Sequence, residues 1–188
     1  KFFYMPNQFW QHKNHLLVLE ALAFLKSRGA EVVVAASGRQ VDPRNPQHFG
    51  RVLAMVRDLA LDSCFRPLGM IPQEHVTALM LSTTALLNPS RYEGWSTTVE
   101  EARSLGTPLL LSDIPVHREQ AGGTAAYFDP NGAGELAAAL GNYLPVGDDV
   151  RRAARAAANG AARARVEAFA SGFADVAQQC LAAYSPAP

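Results

Sequence analysis

Three observations predict an α/β fold, a three-layer sandwich around a parallel sheet of about six strands. Segments of strand character alternate along the chain with segments of helical periodicity, the order in which crossover helices build a parallel sheet. The strand segments are continuous apolar runs and not apolar–polar alternations, which is how a strand reads when helices cover both faces of its sheet. With 48% hydrophobic and 18% charged residues in 188, the chain can bury one sizeable core, and its length fits a single domain.

The elements follow in order. Phe2 to Met5 reads as the first strand, and apolar residues at helical spacing follow in Leu16 to Leu25. Glu31 to Ala36 is the second strand candidate, followed by a helical pattern in Val52 to Leu59. Cys64 to Pro67 and His75 to Leu81 repeat the alternation, as do Ala85 to Asn88 and Thr98 to Leu105. Pro108 to Leu111 and Ala125 to Phe128 complete the strands, with a helical pattern in Gly134 to Leu144. After Pro145 alanine dominates, five arginines fall between Arg151 and Arg165, and strand-like runs stop. The core is therefore expected over 1–145, closed by two helices near Asp148 to Ala170 and Ser171 to Tyr184, with Ser185 to Pro188 a frayed tail. The arginine cluster reads as a solvated helix face. No internal repeat is visible.

Lysine plus arginine and aspartate plus glutamate both number 17, so the net charge is zero. No bulk field favours nucleic acid or an anionic membrane, and anion recognition has to be local. No run of about 18 apolar residues could span a membrane, and Lys1 to Asn14 lacks the build of a signal peptide. The expectation is a cytoplasmic protein. Cys64 and Cys180 lack metal-ligand spacing and read as buried, reduced thiols. His12 and His15 suggest no third metal ligand and read as polar cap residues, while His48, His75 and His117 read as structural. No metal site is expected.

Chemistry concentrates in the string from Asn88 to Pro108, where a strand ends and a helix begins. In an open parallel sheet, ligands bind beyond the carboxyl ends of the strands, and a helix N-terminus there offers unpaired N–H groups to an anion. Gly94 lets the backbone approach a ligand, and Ser96, Thr97 and Thr98 add hydroxyl donors. Thr97 followed by Glu100 reads as a capping box, which makes Glu100 structural. Glu101 is turned about 100° from Glu100 on the helix, and Glu93 sits in the loop before it. Both remain available to a ligand, and two such carboxylates are suited to vicinal sugar hydroxyls.

The same residues resemble the retaining GT-B glycosyltransferases of family 4. Glu93 and Glu101 stand where that family has a glutamate, seven residues and a second glutamate. Pro89-Ser90, Glu93-Gly94-Trp95, Glu101-Ala102 and Gly106-Thr107-Pro108 match around them. The likeness extends through Ser37-Gly38, Leu68-Gly69, Ile114-Pro115 to Glu119 and Ala126 to Pro130, covering nearly all of the chain from Phe3 to Leu144. The resemblance implies a Rossmann-like domain, the C-terminal half of a GT-B fold, binding a nucleoside diphosphate sugar for metal-free, retaining transfer to an acceptor. It implies no cofactor beyond that donor, and an N-terminal acceptor domain that this chain lacks. The abrupt start at Phe2 fits a cut at the hinge between the two.

The resemblance also implies roles. Glu93 would meet the sugar ring hydroxyls and Glu101 the ribose. The amides from Gly94 to Thr97 would approach the sugar and diphosphate. Main chain near Arg66 would read the base. On the residues themselves, Trp10 and Trp95 are candidates either to stack on sugar or base or to pack in the core. The family's diphosphate clamp is an arginine and a lysine after the first strand. Lys13 fills the lysine position, but Gln8 stands where the arginine belongs, which removes a fixed positive charge. Arg91 or a group outside this chain is the candidate to restore it. Two further readings stay open on the sequence. One is a nucleotide-sugar-binding module that no longer transfers, and the other is a GT-B hydrolase or epimerase.

Overall fold

The structure is a computed structural model and describes residues 1–184. Six parallel strands form one sheet: β1 (Phe2–Met5), β2 (Val33–Ser37), β3 (Phe65–Gly69), β4 (Leu86–Asn88), β5 (Leu109–Ser112) and β6 (Ala125–Phe128). Their order is β3-β2-β1-β4-β5-β6. The helices are α1 (His15–Ser27), α2 (His48–Asp58), α3 (Gln73–Ser82), α4 (Thr97–Leu105), α5 (Pro115–Ala121), α6 (Ala133–Asn142) and α7 (Asp148–Ala183).

Burial follows from the pattern of the strands. β4 and β5 are buried throughout, whereas β3, at the sheet edge, alternates and leaves Arg66 and Leu68 exposed. One face of the sheet, with Phe3, Met5, Val34 and Leu110, packs with Val18, Leu22, Val52, Leu136 and Leu140 from α1, α2 and α6. The other face, with Tyr4, Leu86 and Leu111, packs with Met80, Val99 and Ala102 from α3 and α4. The three expected layers are present. The edges of β2 and β3 move by a few residues, because an apolar run begins before the ladder does: Val34 pairs with Phe65 and Ser37 with Gly69.

Four expectations are corrected. α5 has no counterpart in the sequence reading. It is a seven-residue helix with Pro115 in its first turn, too short to display a period. The two closing helices are one continuous helix of 36 residues. The expected break between Ala170 and Ser171 has no proline, and Gly172 beside it costs only about 1 kcal/mol in an alanine-rich helix. The arginines after Pro145 are not all solvated. Arg151 donates to the Thr83 carbonyl at 2.9 Å and Arg165 to Ser104 Oγ at 3.2 Å, so both tie α7 to the body. Of the cysteines, Cys64 is half-buried and Cys180 exposed.

The first turns of α7 cross the C-terminus of α4 at close range. Gly106 (φ +68°) ends α4, and a Cβ there would lie 2.7 Å from the backbone of Ala154. After Ala158, the one buried residue of this helix, Val166, Phe169, Phe173 and Val176 are all exposed.

Candidate functional site

β1 and β4 are neighbours at the point where the strand order reverses, so the loops leaving them open a crevice at the carboxyl edge of the sheet. Backbone bonds fix the loops around it. Phe9 N–H donates to Arg39 O at 2.9 Å, Gly38 N–H to Gly69 O at 2.9 Å and Arg91 N–H to His12 O at 2.9 Å. Gly38 (φ +145°) permits this closeness, since a Cβ there would stand 2.6 Å from Asn7 O.

Lys13 and Glu93, 80 positions apart in sequence, meet here. Lys13 Nζ donates to Glu93 Oε1 at 2.6 Å, and the two side chains are 12% and 8% exposed. Ser90 Oγ also lies 2.7 Å from that oxygen, and Asn88 Nδ2 donates to it at 3.4 Å. Burial by itself would raise the Glu93 carboxyl. The bond to Lys13, the charge of Lys13 and the bonds from Ser90 and Asn88 outweigh it and hold the carboxyl below its ordinary range. Glu93 is therefore a carboxylate with Oε1 locked, while Oε2 accepts no hydrogen bond among the described residues.

A buried polar frame holds this pair. Asn7 Nδ2 donates to Asn88 Oδ1 at 3.0 Å, and Asn88 Nδ2 to Ser96 Oγ at 3.0 Å. Asn14 Nδ2 donates to the carbonyls of Pro89 and Pro130 at 3.0 and 2.8 Å, and Ser112 Oγ to Ser90 O at 2.5 Å. His117 Nδ1–H donates to Ser112 O at 2.9 Å, and its buried Nε2 has no partner. Burial pushes His117 down, so it is neutral at pH 7. The sequence reading missed Asn7, Asn14, Asn88, Ser112 and Gln120. Asparagine at the end of an apolar strand, at Asn88, or two residues past one, at Asn7, was the available signal, because a side-chain amide there can satisfy loop backbone that the ladder no longer pairs.

Beside the pair lies a crevice of about 190 Å³, walled by Gln8, Gly38, Met70, Gln73, Thr98 and Glu101. Four of the expected site residues thus line one cavity. Gln8 Oε1 accepts Arg39 N–H at 2.6 Å, which leaves its amide N–H groups free to donate. Ser37 also lines the crevice, and its Oγ lies 2.5 Å from Tyr4 OH. Burial raises the Tyr4 hydroxyl pKa, and the Glu101 charge adds to this.

The remaining expected residues are placed differently. Arg66 lies within β3 with its side chain exposed, and Met70 and Ile71, just past the strand, form that edge of the crevice. Gly94 is exposed, and a Cβ there would meet nothing within 4 Å. Trp95 is 53% exposed and faces a cleft shared with Phe169 of α7, away from Glu93. Ser96, and not Thr97, is the N-cap of α4, and Ser96 Oγ accepts from Asn88 instead of capping the helix. The capping box does not form. Glu100 is taken by Arg103 at 2.8 Å and Gln120 at 3.2 Å, with Arg165 at 3.8 Å, because these donors already surround it. Arg91 does not join Gln8. It lines a separate cleft with His12 and Arg44.

A doubly wound α/β domain with its crevice at the switch point, and a nearly buried lysine–carboxylate pair beside a helix N-terminus, defines the class: a Rossmann-like α/β domain. Residues 1–161 match the family described as glycosyl transferases group 1, and the chain belongs to that family. It is 32% identical over 73 residues to O-antigen chain mannosyltransferase B of Escherichia coli, a stretch covering 39% of this chain and 19% of that protein. In structure it is similar to sucrose-phosphate synthase from Thermosynechococcus elongatus, with a TM-score of 0.72 at 20% identity, over 97% of this chain and 46% of that one. It is also similar to HepE of Anabaena, solved in complex with UDP and glucose, with a TM-score of 0.69 at 16% identity, over 90% and 48% of the two chains. The chain spans less than half the length of each of these relatives.

Proposed function

We propose that this chain is the C-terminal, donor-binding half of a retaining GT-B glycosyltransferase of family 4, which takes a hexose from a nucleoside diphosphate sugar. The observation that carries this is the Lys13–Glu93 pair, with one carboxylate oxygen locked and one open, next to a crevice walled by Gln8, Gly38, Thr98 and Glu101. In this reading Glu101 accepts from the ribose hydroxyls and the base lies toward Met70 and the Arg66 edge. The diphosphate meets Lys13, the Gln8 amide and the N-terminus of α4, and Glu93 Oε2 accepts from the sugar ring. The amides of Gly94, Trp95 and Thr97 close over the sugar, while the Ser96 N–H is already given to Gln120 Oε1 at 3.2 Å.

The chemistry follows from those positions. The bond from the anomeric carbon to the leaving phosphate oxygen breaks, so negative charge grows on the diphosphate while positive character grows on the carbon. Lys13 Nζ keeps two N–H donors besides the one given to Glu93, and the first amides of α4 point along the helix dipole. These fixed donors stabilise the leaving group as its charge develops. With them in place the transfer needs no metal ion and no cofactor beyond the donor. The acceptor hydroxyl adds to the anomeric carbon on the face from which the diphosphate departs, as retention requires, and its proton passes to the departing phosphate oxygen; a preceding N-terminal domain would hold the acceptor there. The exposed stripe on α7 supports such a neighbour, because Val166, Phe169 and Phe173 lie on one helix face and stay exposed among the described residues.

Calorimetry with nucleoside diphosphates and their sugars tests the assignment. Glu101→Ala and Lys13→Ala should each weaken binding by about tenfold or more, the loss expected for a charged hydrogen bond. Unchanged affinity in both variants would overturn it. Anomeric analysis of the product of the full-length enzyme tests retention.

A further inference from the structure

A second cleft, of about 330 Å³, opens near the same edge of the sheet and shares no wall residue with the donor crevice. Its walls include His12 after β1, Asp42, Arg44 and Asn45 after β2, and Arg91 and Tyr92 after β4. His12 directly precedes Lys13 and Tyr92 directly precedes Glu93, so the Lys13–Glu93 pair borders this cleft as well.

The cleft carries two guanidinium groups against one carboxylate. Asp42 is buried and already engaged: it accepts the backbone N–H of Gln11 at 3.1 Å and of Arg44 at 3.0 Å, and lies 3.5 Å from Arg44 Nε. These bonds fix the loop after β2 and present the guanidinium of Arg44, which sits 5.4 Å from the centre of the Trp10 ring and 3.5 Å from His12 Nδ1. Arg91 has no carboxylate within 4.0 Å among the described residues. Its charge is uncompensated. Because the whole chain has zero net charge, this local excess is not a by-product of a basic surface. Tyr92 stacks on His12 at 4.5 Å with 22° between the rings, and stays exposed as a flat apolar face beside the cations. Two arginines with an aromatic face between backbone-tied loops suit a phosphate group joined to a ring.

We propose that this cleft is a second anion subsite, in which Arg44 and Arg91 bind a phosphate group carried by the acceptor and Tyr92 supports the attached ring. The acceptor assignment rests on the donor reading above, because it takes the group across the Lys13–Glu93 pair to be the second substrate. A soluble sugar phosphate and a lipid-linked acceptor present the same chemistry here.

The test is calorimetric titration of the chain with inorganic phosphate, hexose 6-phosphate, and phosphatidylcholine vesicles with or without phosphatidate. Each titration is run with and without a saturating nucleoside diphosphate. Phosphate binding should persist at nucleotide saturation and weaken by about tenfold or more in Arg44→Gln/Arg91→Gln. Nucleotide affinity should change by less than about threefold, and an unaltered unfolding midpoint shows that the variant is folded. A preference for hexose phosphate over inorganic phosphate assigns a soluble acceptor, and a preference for phosphatidate vesicles assigns a lipid-linked one. Phosphate binding that nucleotide abolishes, that ignores the double substitution, or that never saturates overturns the subsite. Failure of the donor reading leaves a different mark: no nucleoside diphosphate binds, while phosphate binding sensitive to Arg44 and Arg91 is retained.

Discussion

Lys13 and Glu93 are each the other's compensation. Removing one partner leaves a charge in a site where both side chains are nearly buried, so Lys13→Met or Glu93→Gln should each destabilise the fold by about 2–4 kcal/mol. The double variant should cost clearly less than the sum of the two, which a denaturant double-mutant cycle measures. His15 is a second sensitive residue. It stacks on Phe9 at 4.3 Å, both of its ring nitrogens are buried without partners, and burial is the main cause pushing it down to about 3. The unfolded chain binds a proton near pH 6.5 and the folded chain does not, so this contribution to stability is complete above pH 6.5 and shrinks as the pH falls toward 3. At its steepest the loss is about 1.4 kcal/mol per pH unit. His15→Phe should flatten the stability profile by that one proton, as read from unfolding midpoints at a series of pH values. Glu93, held below its ordinary range, acts in the same direction at lower pH. Charge-bearing residues at the site were legible in the sequence because their types and order are specific. Their supports, Asn7, Asn88 and Ser112, were not. A polar side chain reveals its role only through the long-range partner that satisfies it, and those partners lie 81 positions away for Asn7 and 22 for Ser112.

At the scale of the elements, the four inner strands were legible because continuous apolar runs mark strands covered on both faces, while the edge strands β3 and β6, which leave Arg66, Leu68 and Ala126 exposed, were legible from their place in the strand–helix alternation. The helices that carried a clear period were found as well. What the sequence hid was continuity and brevity. α5 is too short for periodicity, and α7 runs through Gly160 and Gly172 because neither glycine meets a competing structure. The packing of α7 is uneven, and that has a measurable consequence. Gly106→Ala forces a Cβ against the Ala154 backbone at a left-handed position, and should destabilise the chain by about 2 kcal/mol or more. Truncation after residue 169 removes residues of α7 that are all exposed, and should shift stability by less than about 1 kcal/mol. Urea titration of the two variants separates the anchored part of α7 from the free part.

For the whole molecule, zero net charge and a phosphate-binding proposal are reconciled by position: charge is balanced overall, while two guanidinium groups stand against one carboxylate in a cleft at one edge of the sheet. Lys13, Arg44 and Arg91 face that edge, and α4 aims its N-terminus there. On the proposed reading, this edge is half of an active site. Transfer to an acceptor requires the attacking hydroxyl to be held against the anomeric carbon on the side the diphosphate leaves and water to be kept from that carbon. In this chain Tyr92, directly before Glu93, is exposed. The 188-residue chain should therefore bind a nucleoside diphosphate yet show no sugar transfer above background, and a form extended by its N-terminal domain should transfer. The exposed stripe provides an independent reading of the same event. Val166, Phe169, Phe173 and Val176 recur at intervals of three and four residues, the spacing of one helix face. If that domain packs on α7 while closing the site, the extended form should also slow amide exchange along 162–183. Turnover by the short chain alone would overturn the two-domain reading. Turnover in the extended form without protection of α7 would keep that reading and assign the stripe to another surface.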